Sequence, residues 1–380
     1  MSKQTLNLPV NWIDGMKINK DHFIATDLNL SSQLLCTYQA LVNPYNYGLL
    51  LHNNFKNQTL KIVVDVDNQA YVHAKVFNCS AVTKGGVRIE IDESQFTDNE
   101  LAAELPHARF AENQLKEGDY YLALSVDIYK RVPFGVPDTE EQPPRLPYVI
   151  PGYFLSIHHA TELESVKSEN ALIIGKLTFN DNTPKLDDDY IPPCQTIFSH
   201  PKLIEYHAQL VKVFGQIEID LINIIKRIKD KKQSTSIALT VADVIDSLLL
   251  FMSINLVEFR KMARYYSPVF IFEQMAAIAR TINNSINKQA TGDREELLNY
   301  IQDWSNLKQG EFEELIVKAI EYKYDHDDIN KSINTLAPFV NAIAKVTNTL
   351  SNLDFIGKKK DRQIFVKEQK ESPGSSFLVD

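Results

Sequence analysis

Apolar and polar positions alternate over short runs in the first half of the chain, as they do in β-strands. Residues 87–91 alternate cleanly after Gly85–Gly86, and residues 60–66 are rich in β-branched side chains. A Gly-Gly pair between two such runs predicts a hairpin. Further strands are predicted over residues 70–78, 120–129 and 171–179. Several short strands separated by turns predict an antiparallel β-sandwich or a barrel-like domain.

From about residue 195 onward, apolar residues recur every three or four positions, and this period predicts helices. From Leu203 the spacing alternates between four and three, which is the heptad pattern of helices that pack along a seam. Such a seam lies either within one chain or between protomers. Its residues are Leu203, Leu210, Phe214, Ile217, Leu221 and Ile224.

The remaining helical pattern predicts a bundle. Residues 240–266 are apolar on most faces and are expected at its centre, and Ser267–Pro268 ends that helix. Further helices are predicted over residues 269–286, 294–307 and 312–322. The last long helix is predicted to begin within residues 324–329, with Asp325 and Asp328 as helix caps. Its heptad positions are Ile329, Ile333, Leu336, Val340, Ile343 and Leu350.

Together the patterns predict an α+β chain in which an antiparallel β-sandwich precedes an α-helical bundle. A chain of 380 residues has room for two or three domains. The expected divisions are an N-terminal arm at residues 1–30, a β-rich domain at 31–195, a helical bundle at 196–356 and a short tail at 357–380.

Prolines crowd residues 133–151. Because proline cannot donate a hydrogen bond to a neighbouring strand, this segment is expected to be a long loop or an extended arm. A partner-binding arm and a plain surface loop are both compatible with this pattern.

The charge balance argues against nucleic acid as a partner. Lys and Arg number 40 and Asp and Glu number 49, a net charge of -9, whereas phosphate contact needs concentrated positive charge. Basic clusters at residues 226–232 and 358–360 are interpreted as a solvated helix end and a solvated tail. The three cysteines form no CxxC pair, which predicts neither a zinc ribbon nor a disulfide framework and suits a reduced, intracellular chain.

Direct insertion into a membrane is not expected either. The N-terminal residues contain no apolar run of the kind that a signal peptide needs. The most apolar stretch, residues 237–259, is interrupted by Asp243, Asp246 and Glu258, which favours a helix packed in protein.

Three groups of residues are candidates for metal binding, and each has a simpler interpretation. His326 lies among acidic residues, but neighbouring positions at a helix start point in different directions, which favours capping. His158 and His159 are expected on opposite faces of a strand, and residues 187–189 are interpreted as an acidic turn. The sequence contains no GxSxG, GxxxxGK[ST], GxGxxG or HExxH motif. No cofactor, metal or enzymatic activity is therefore predicted.

Three segments resemble the TssK family of type VI secretion baseplate subunits. The first is Val10-Asn11-Trp12-Ile13-Asp14-Gly15-Met16, followed by His22-Phe23. The second ends in Tyr190-Ile191-Pro192-Pro193-Cys194, and the third is Tyr324-Asp325-His326-Asp327-Asp328-Ile329. They occur in the family's order, and the β-rich front and helical back agree with the resemblance.

The resemblance implies a homotrimer with a phage-like shell domain, a helical neck and a C-terminal head. It implies baseplate wedge partners of the TssF/TssG kind, a membrane-complex partner, and a cytoplasmic location at the inner face of the membrane. The implied wedge-binding residues of the N-terminal arm are Trp12, Gly15, Met16, His22 and Phe23. The implied domain junction contains Tyr190, Pro192 and Pro193, and the heptad seam from Leu203 is expected to carry trimer contacts.

The sequence departs from the family pattern after about residue 355, where too few residues remain for a head with its own core. The expectation is a divergent TssK-like subunit without a head, of the Bacteroidota type, whose membrane-side partner is unidentified. Two alternatives stay open at this point. One is a trimeric phage-tail subunit of the receptor-binding kind, and the other is a cytosolic metal-dependent hydrolase centred on His326.

Overall fold

The computed structural model describes residues 7–51, 59–96, 103–111, 115–180, 183–305 and 307–357. The front of the described chain forms two antiparallel sheets, and the back forms a bundle of helices. The predicted α+β class is confirmed. The basic cluster at residues 358–360 and all of the predicted tail except Gly357 lie outside the described residues.

The first sheet is built around one central strand, which pairs with each of the other four in antiparallel fashion. The predicted hairpin is confirmed at Gly85–Gly86, where Gly86 has a φ of +82° and Thr83 N donates to Val87 O at 2.8 Å. The strands are β1 (Gly48–Leu49), β2 (Leu60–Val66), the central β3 (Tyr71–Val82), β4 (Arg88–Asp92) and β5 (His107–Ala111).

The second sheet has the order β7-β6-β8-β9 and is also antiparallel. Its strands are β6 (Gly118–Phe134), β7 (Tyr148–His159), β8 (Ala171–Asn180) and β9 (Thr183–Leu186). Both sheets turn apolar side chains into one core, which includes Val76, Ile89, Leu122 and Ile174. The proline-dense segment is the tip of the long β6–β7 hairpin, together with the strand ends that lead into it.

A long helix precedes the sheets, and six helices of the described chain form the bundle. The first helix, α1 (Lys20–Leu41), crosses residue 30, so the expected division between arm and β-rich domain falls inside one helix. A short helix, α2 (Leu163–Val166), follows β7. The bundle contains α3 (Pro201–Asp230), α4 (Ser236–Lys261), α5 (Val269–Asn287), α6 (Thr291–Ser305), α7 (Gln309–Glu321) and α8 (Ile329–Ser351).

The heptad seam of α3 lies inside the chain. All six of its residues are buried, and they pack in the same core as the apolar face of α8. A side chain that is fully covered by its own chain cannot also contact a second protomer. The expected trimer contact through Leu203, Leu210, Phe214, Ile217, Leu221 and Ile224 is therefore corrected to an intrachain seam.

The expected central position of α4 is also wrong. One face of α4 packs in the core through residues such as Val241, Leu248 and Phe259, but the opposite face is open. By length and composition α4 could cross a membrane, a test that a helix packed in a protein core also passes. The nearly all-round apolar pattern thus reflects two surfaces, one buried and one exposed.

Candidate interaction surfaces and domain junction

The β domain and the helical bundle meet where three chain segments contact one another: residues 47–49, 190–195 and 324–329. Leu49 N donates to Pro193 O at 2.8 Å, and Gln195 N donates to Leu49 O at 2.9 Å. Gly48 has a φ of +108°, and a Cβ at this position would lie 2.1 Å from Pro193 C and O. Only glycine allows this approach, and the sequence reasoning did not single out Gly48.

Asp327 joins the two domains through three side chains of the β domain. Tyr47 Oη donates to Asp327 Oδ1 at 2.6 Å, and Lys167 Nζ lies 2.9 Å from Asp327 Oδ2. Tyr190 Oη donates to the main-chain oxygen of Asp327 at 2.6 Å. Burial, and then the charge of Asp327, raise the pKa of Tyr47, which keeps that phenol a hydrogen-bond donor.

His326 is a buried structural residue of the same junction. Its Nε2 donates to Tyr47 O at 2.9 Å, because a carbonyl oxygen can only accept. Its Nδ1 then accepts from Tyr324 Oη at 2.9 Å. Burial lowers the pKa of His326, so the ring is neutral and both nitrogens are occupied. This arrangement leaves no ring nitrogen of His326 free to bind a metal.

The acidic residues around His326 organise the start of α8. Asp328 is the N-cap residue and accepts from Lys331 N at 3.0 Å. Asp325 lies before the helix, and its Oδ1 accepts from Asp327 N at 3.1 Å, so it orders the turn and does not cap α8. The helix begins at Ile329, whose N donates to Ile191 O at 3.3 Å and ties α8 to the Tyr190–Cys194 segment.

The other candidate metal ligands also have protein partners. His158 Nε2 lies 2.8 Å from Ser156 Oγ, and His159 caps the turn that follows β7. Asp189 pairs with Lys202, and Asp187 accepts from Asp189 N at 2.9 Å. Over the described ranges, no group of three or more His, Cys, Asp or Glu side chains could hold a metal ion.

The N-terminal residues named by the sequence lie on the protein surface. Trp12 is 49% exposed and Phe23 is 59% exposed, and their ring centroids are 6.4 Å apart. Gly15 has a φ of +80°, as a turn at this position requires. Met16 is half-buried, and its N donates to Ile13 O across the turn. His22 Nδ1 accepts from Asn19 N at 3.2 Å, so His22 is part of the capping box of α1.

An apolar stripe continues from these residues along α1. Asp27 pairs with Arg131 of β6 at 3.5 Å, and Gln39 Nε2 donates to Gly85 O at 3.0 Å. These contacts attach α1 to the β domain at two points, and an apolar stripe of the helix stays exposed. We call the exposed apolar set the N-terminal surface: Leu8, Trp12, Ile13, Ile18, Phe23, Leu30, Leu34, Tyr38 and Leu41.

The bundle has two further exposed apolar stripes. The outer stripe of α3 contains Ile204, Ile219 and Ile222, and Ile219 is 53% exposed. The Arg260–Glu218 ion pair, at 3.1 Å, bridges α3 and α4 at the surface. The outer stripe of α4 contains Leu239, Asp243, Asp246, Leu250, Ile254 and Val257, all of them exposed. Sequence reasoning found one apolar face on α3 and an apolar pattern on most faces of α4, and it identified neither exposed stripe.

Comparison with known proteins identifies the fold. No protein-family model and no curated protein matches the chain. A crystal structure of TssK is 15% identical, with a TM-score of 0.50, and the match covers 89% of this chain and 69% of that one. The chain has a TssK-like fold.

Two larger assemblies also contain chains similar to this one. In the baseplate complex from the type VI secretion system, the matched chain is 12% identical, with a TM-score of 0.48, and 90% of this chain and 99% of that one are covered. In the TssK-TssF-TssG baseplate subcomplex, the matched chain is 11% identical, with a TM-score of 0.43 and coverage of 90% and 99%.

The TssK-like fold brings two of the three family-like segments together. The segment ending in Tyr190–Cys194 and the segment at residues 324–329 meet at the domain junction, although they are far apart in sequence. The segment around Trp12 lies on the N-terminal surface. Tyr47 and Lys167 complete the junction, and neither belongs to a motif that the sequence reasoning used.

Proposed function

We propose that this chain is a structural subunit of a type VI secretion baseplate and has no catalytic role. The observation that carries the proposal is the similarity to a crystal structure of TssK over 89% of the chain. The three family-like segments support it, because they occur in the family's order and two of them form the domain junction. The location that follows is cytoplasmic, on the inner side of the membrane.

The partners proposed for this baseplate role are wedge subunits of the TssF/TssG kind. TssK forms a baseplate subcomplex with TssF and TssG. The N-terminal surface is suited to such a contact, because it is a continuous apolar set in which Phe23 is 59% exposed. Aromatic residues such as Trp12 and Phe23 are frequent anchors of protein interfaces.

A trimer is part of the proposal, and the outer stripe of α3 is its proposed contact. Ile204, Ile219 and Ile222 are exposed on the side of α3 that faces away from the intrachain seam. Aliphatic residues repeated on one helix face favour helix packing between protomers. In the proposed adaptor, the β domain meets the wedge and the bundle points to the membrane complex.

Co-purification from cells that express the same baseplate operon tests the function. The wild-type chain is expected to recover the TssF/TssG-like wedge subunits, and Phe23→Asp with Leu30→Asp is expected to reduce recovery about tenfold or more. Val317→Asp is the matched control, because Val317 is an exposed aliphatic residue on α7. If the wild-type chain recovers no wedge subunit, the baseplate role fails and the phage-tail alternative is favoured.

A further inference from the structure

The outer stripe of α4 is a surface that the proposed function does not use. Leu250, Ile254 and Val257 are 64%, 67% and 58% exposed, on a helix whose other face packs in the core. Helices at a protein surface normally turn charged residues toward water on this side. Three exposed aliphatic residues within two helical turns therefore indicate a surface that contacts another protein chain.

The outer stripe of α3 has the same kind of composition. Ile219 and Ile222 are 53% and 50% exposed. Lys226 is exposed as well, and because it comes four positions after Ile222, it lies on the same side of α3. On α4, the exposed Asp246 comes four positions before Leu250 and lies on the outer stripe in the same way. Each stripe thus combines aliphatic residues with a charge, and the two charges are opposite.

Lys226 and Asp246 are both available for a contact between chains. Within the described part of the chain, neither side chain has an ion-pair partner. Asp243 is not available, because it pairs with Lys288 at 2.9 Å. Opposite charges on two exposed apolar surfaces favour the packing of one surface against the other and fix its register.

The contacts between α3 and α4 show which of their residues lie at the same level along the bundle. The two helices run antiparallel and are joined by residues 231–235. The ring of Phe259 lies 5.0 Å from the ring of His207 and 5.4 Å from the ring of Phe214. Phe259 is therefore level with the part of α3 between those two residues.

Counting along both helices from Phe259 shows that the two stripes match in level. Leu250 is about level with Ile219, and Asp246 lies within one helical turn of the level of Lys226. In a trimer whose three-fold axis runs along these helices, every residue has the same level in each protomer. Neighbouring protomers therefore bring aliphatic residues to aliphatic residues and a lysine to a carboxylate.

Direct contact between three copies of the α3 stripe is disfavoured. The side chains of three Lys226 residues would then meet near the axis, and like charges repel. Leu250 and Ile254 would also stay exposed to water. A contact between the two different stripes avoids both costs.

We propose that the outer stripe of α3 in one protomer packs against the outer stripe of α4 in the next protomer. Ile219 and Ile222 contact Leu250 of the partner subunit. Lys226 pairs with Asp246 of the partner subunit. Each contact joins two different surfaces, and three such contacts close a ring. This inference rests on the proposed trimer and assigns the second surface of its contact.

Disulfide trapping between two chains with different tags tests the arrangement. An Ile219→Cys chain and a Leu250→Cys chain are co-expressed, both with Cys36→Ser, which removes the exposed native thiol. Mild oxidation of the trimer is expected to link one kind of chain to the other, and either chain alone should give at least about tenfold less product. Val317→Cys in place of Leu250→Cys is the matched control and should also give at least about tenfold less product.

Two results of this experiment would overturn the proposal. Efficient linkage of Ile219→Cys chains to one another would show that copies of α3 meet directly. A trimer that gives equal product with Leu250→Cys and with Val317→Cys, or no product with either, would show that α3 does not contact α4 of the next protomer.

Charge reversal is a second test, which leaves the aliphatic residues unchanged. Lys226→Asp and Asp246→Lys are each expected to raise the concentration at which the trimer dissociates about tenfold, because each variant places like charges together. The double variant should return to within about threefold of the wild type. Circular dichroism verifies that all three variants fold. Losses that add up in the double variant would contradict the pairing.

Light scattering separates the failure of this inference from the failure of the proposed trimer. Leu250→Asp with Ile254→Asp is expected to reduce the trimer to a monomer, whereas Val317→Asp should keep its mass. If the wild type is itself a monomer, the proposed trimer fails, and this inference fails with it. If the wild type is a trimer and the Leu250→Asp, Ile254→Asp variant keeps the full mass, the trimer stands but α4 is not the second surface of its contact.

Discussion

His326 links the stability of the domain junction to pH. Burial lowers the pKa of His326. Its two ring nitrogens form hydrogen bonds with the main-chain oxygen of Tyr47 and the hydroxyl of Tyr324. A group whose folded pKa lies below its unfolded value of 6.5 stabilises the fold fully above pH 6.5 and loses this effect as the pH falls. Half-buried His200 acts in the same direction, because burial and then Lys202 lower its pKa to about 4.

His326→Asn is expected to reduce the free energy of unfolding by about 1–3 kcal/mol near neutral pH, because buried hydrogen bonds are lost. It should also flatten the decline in stability as the pH falls below 6.5, since the titrating ring is gone. Urea unfolding at a series of pH values measures both effects. His200, whose pKa is lowered to about 4, is expected to contribute to the slope that remains below pH 6.5.

Ser332→Ala is the matched control for this pH series. Ser332 is buried and accepts from Tyr322 Oη at 2.9 Å, but it does not titrate. Its loss should lower stability by a similar amount at every pH. Parallel pH profiles for His326→Asn and the wild type would show that His326 is not the pH-sensitive group.

At the level of elements, α3 has two apolar faces with different roles. Leu210 is 3% exposed and faces α8 and the core, whereas Ile219 is 53% exposed on the opposite side. A heptad pattern identifies a helix that packs along a seam, but it does not say which chain provides the other side. Burial decides this, and it moves the proposed trimer contact to the outer stripe.

Leu210→Asp should therefore affect the stability of the fold, and Ile219→Asp should affect the oligomer. Leu210→Asp places a charge in the core and is expected to cost more than about 4 kcal/mol of stability. Ile219→Asp should change stability by no more than about 0.5 kcal/mol and should reduce the oligomer to a monomer. Urea unfolding and light scattering measure the two outcomes.

Ile219→Val keeps the apolar surface and is the control for the oligomer measurement. It should leave the mass in light scattering unchanged. An oligomer that survives Ile219→Asp with its full mass would remove the outer stripe of α3 from the trimer contact.

At the scale of the whole molecule, the sequence predicts the elements that depend on local pattern. It misses the contacts between residues that are far apart in sequence. The β-rich front, the Gly85–Gly86 hairpin and the helices after residue 195 follow from periodicity and turn chemistry. The partnership of Tyr47 with Asp327 joins residues that are 280 positions apart, and no local pattern carries that information. The exposed stripe of α4 was missed for a related reason, because a pattern that is apolar all round does not show which face stays open.

The interlocked junction is expected to couple the two domains into one cooperative unit. A single continuous core includes Leu49 and Ile191 near the junction as well as residues of both sheets and of the bundle helices. Side chains from both sides also converge on Asp327. Unfolding is therefore expected as one transition, in which neither domain melts alone.

Gly48→Ala tests this coupling at its tightest contact. The new Cβ would lie 2.1 Å from the main chain of Pro193 at a residue whose φ is +108°, so both the close approach and the backbone conformation are disfavoured. We expect the free energy of unfolding to fall by about 3 kcal/mol or more and the calorimetric trace to separate into two transitions, one for each domain.

Gly292→Ala is the matched control, because a Cβ there meets nothing within 4 Å and the position lies in the first turn of α6. It should keep a single transition and raise stability by up to about 1 kcal/mol. If Gly48→Ala also kept a single transition at the wild-type temperature, the two domains would be coupled through the continuous core alone, and the approach of Gly48 to Pro193 would have no part in it.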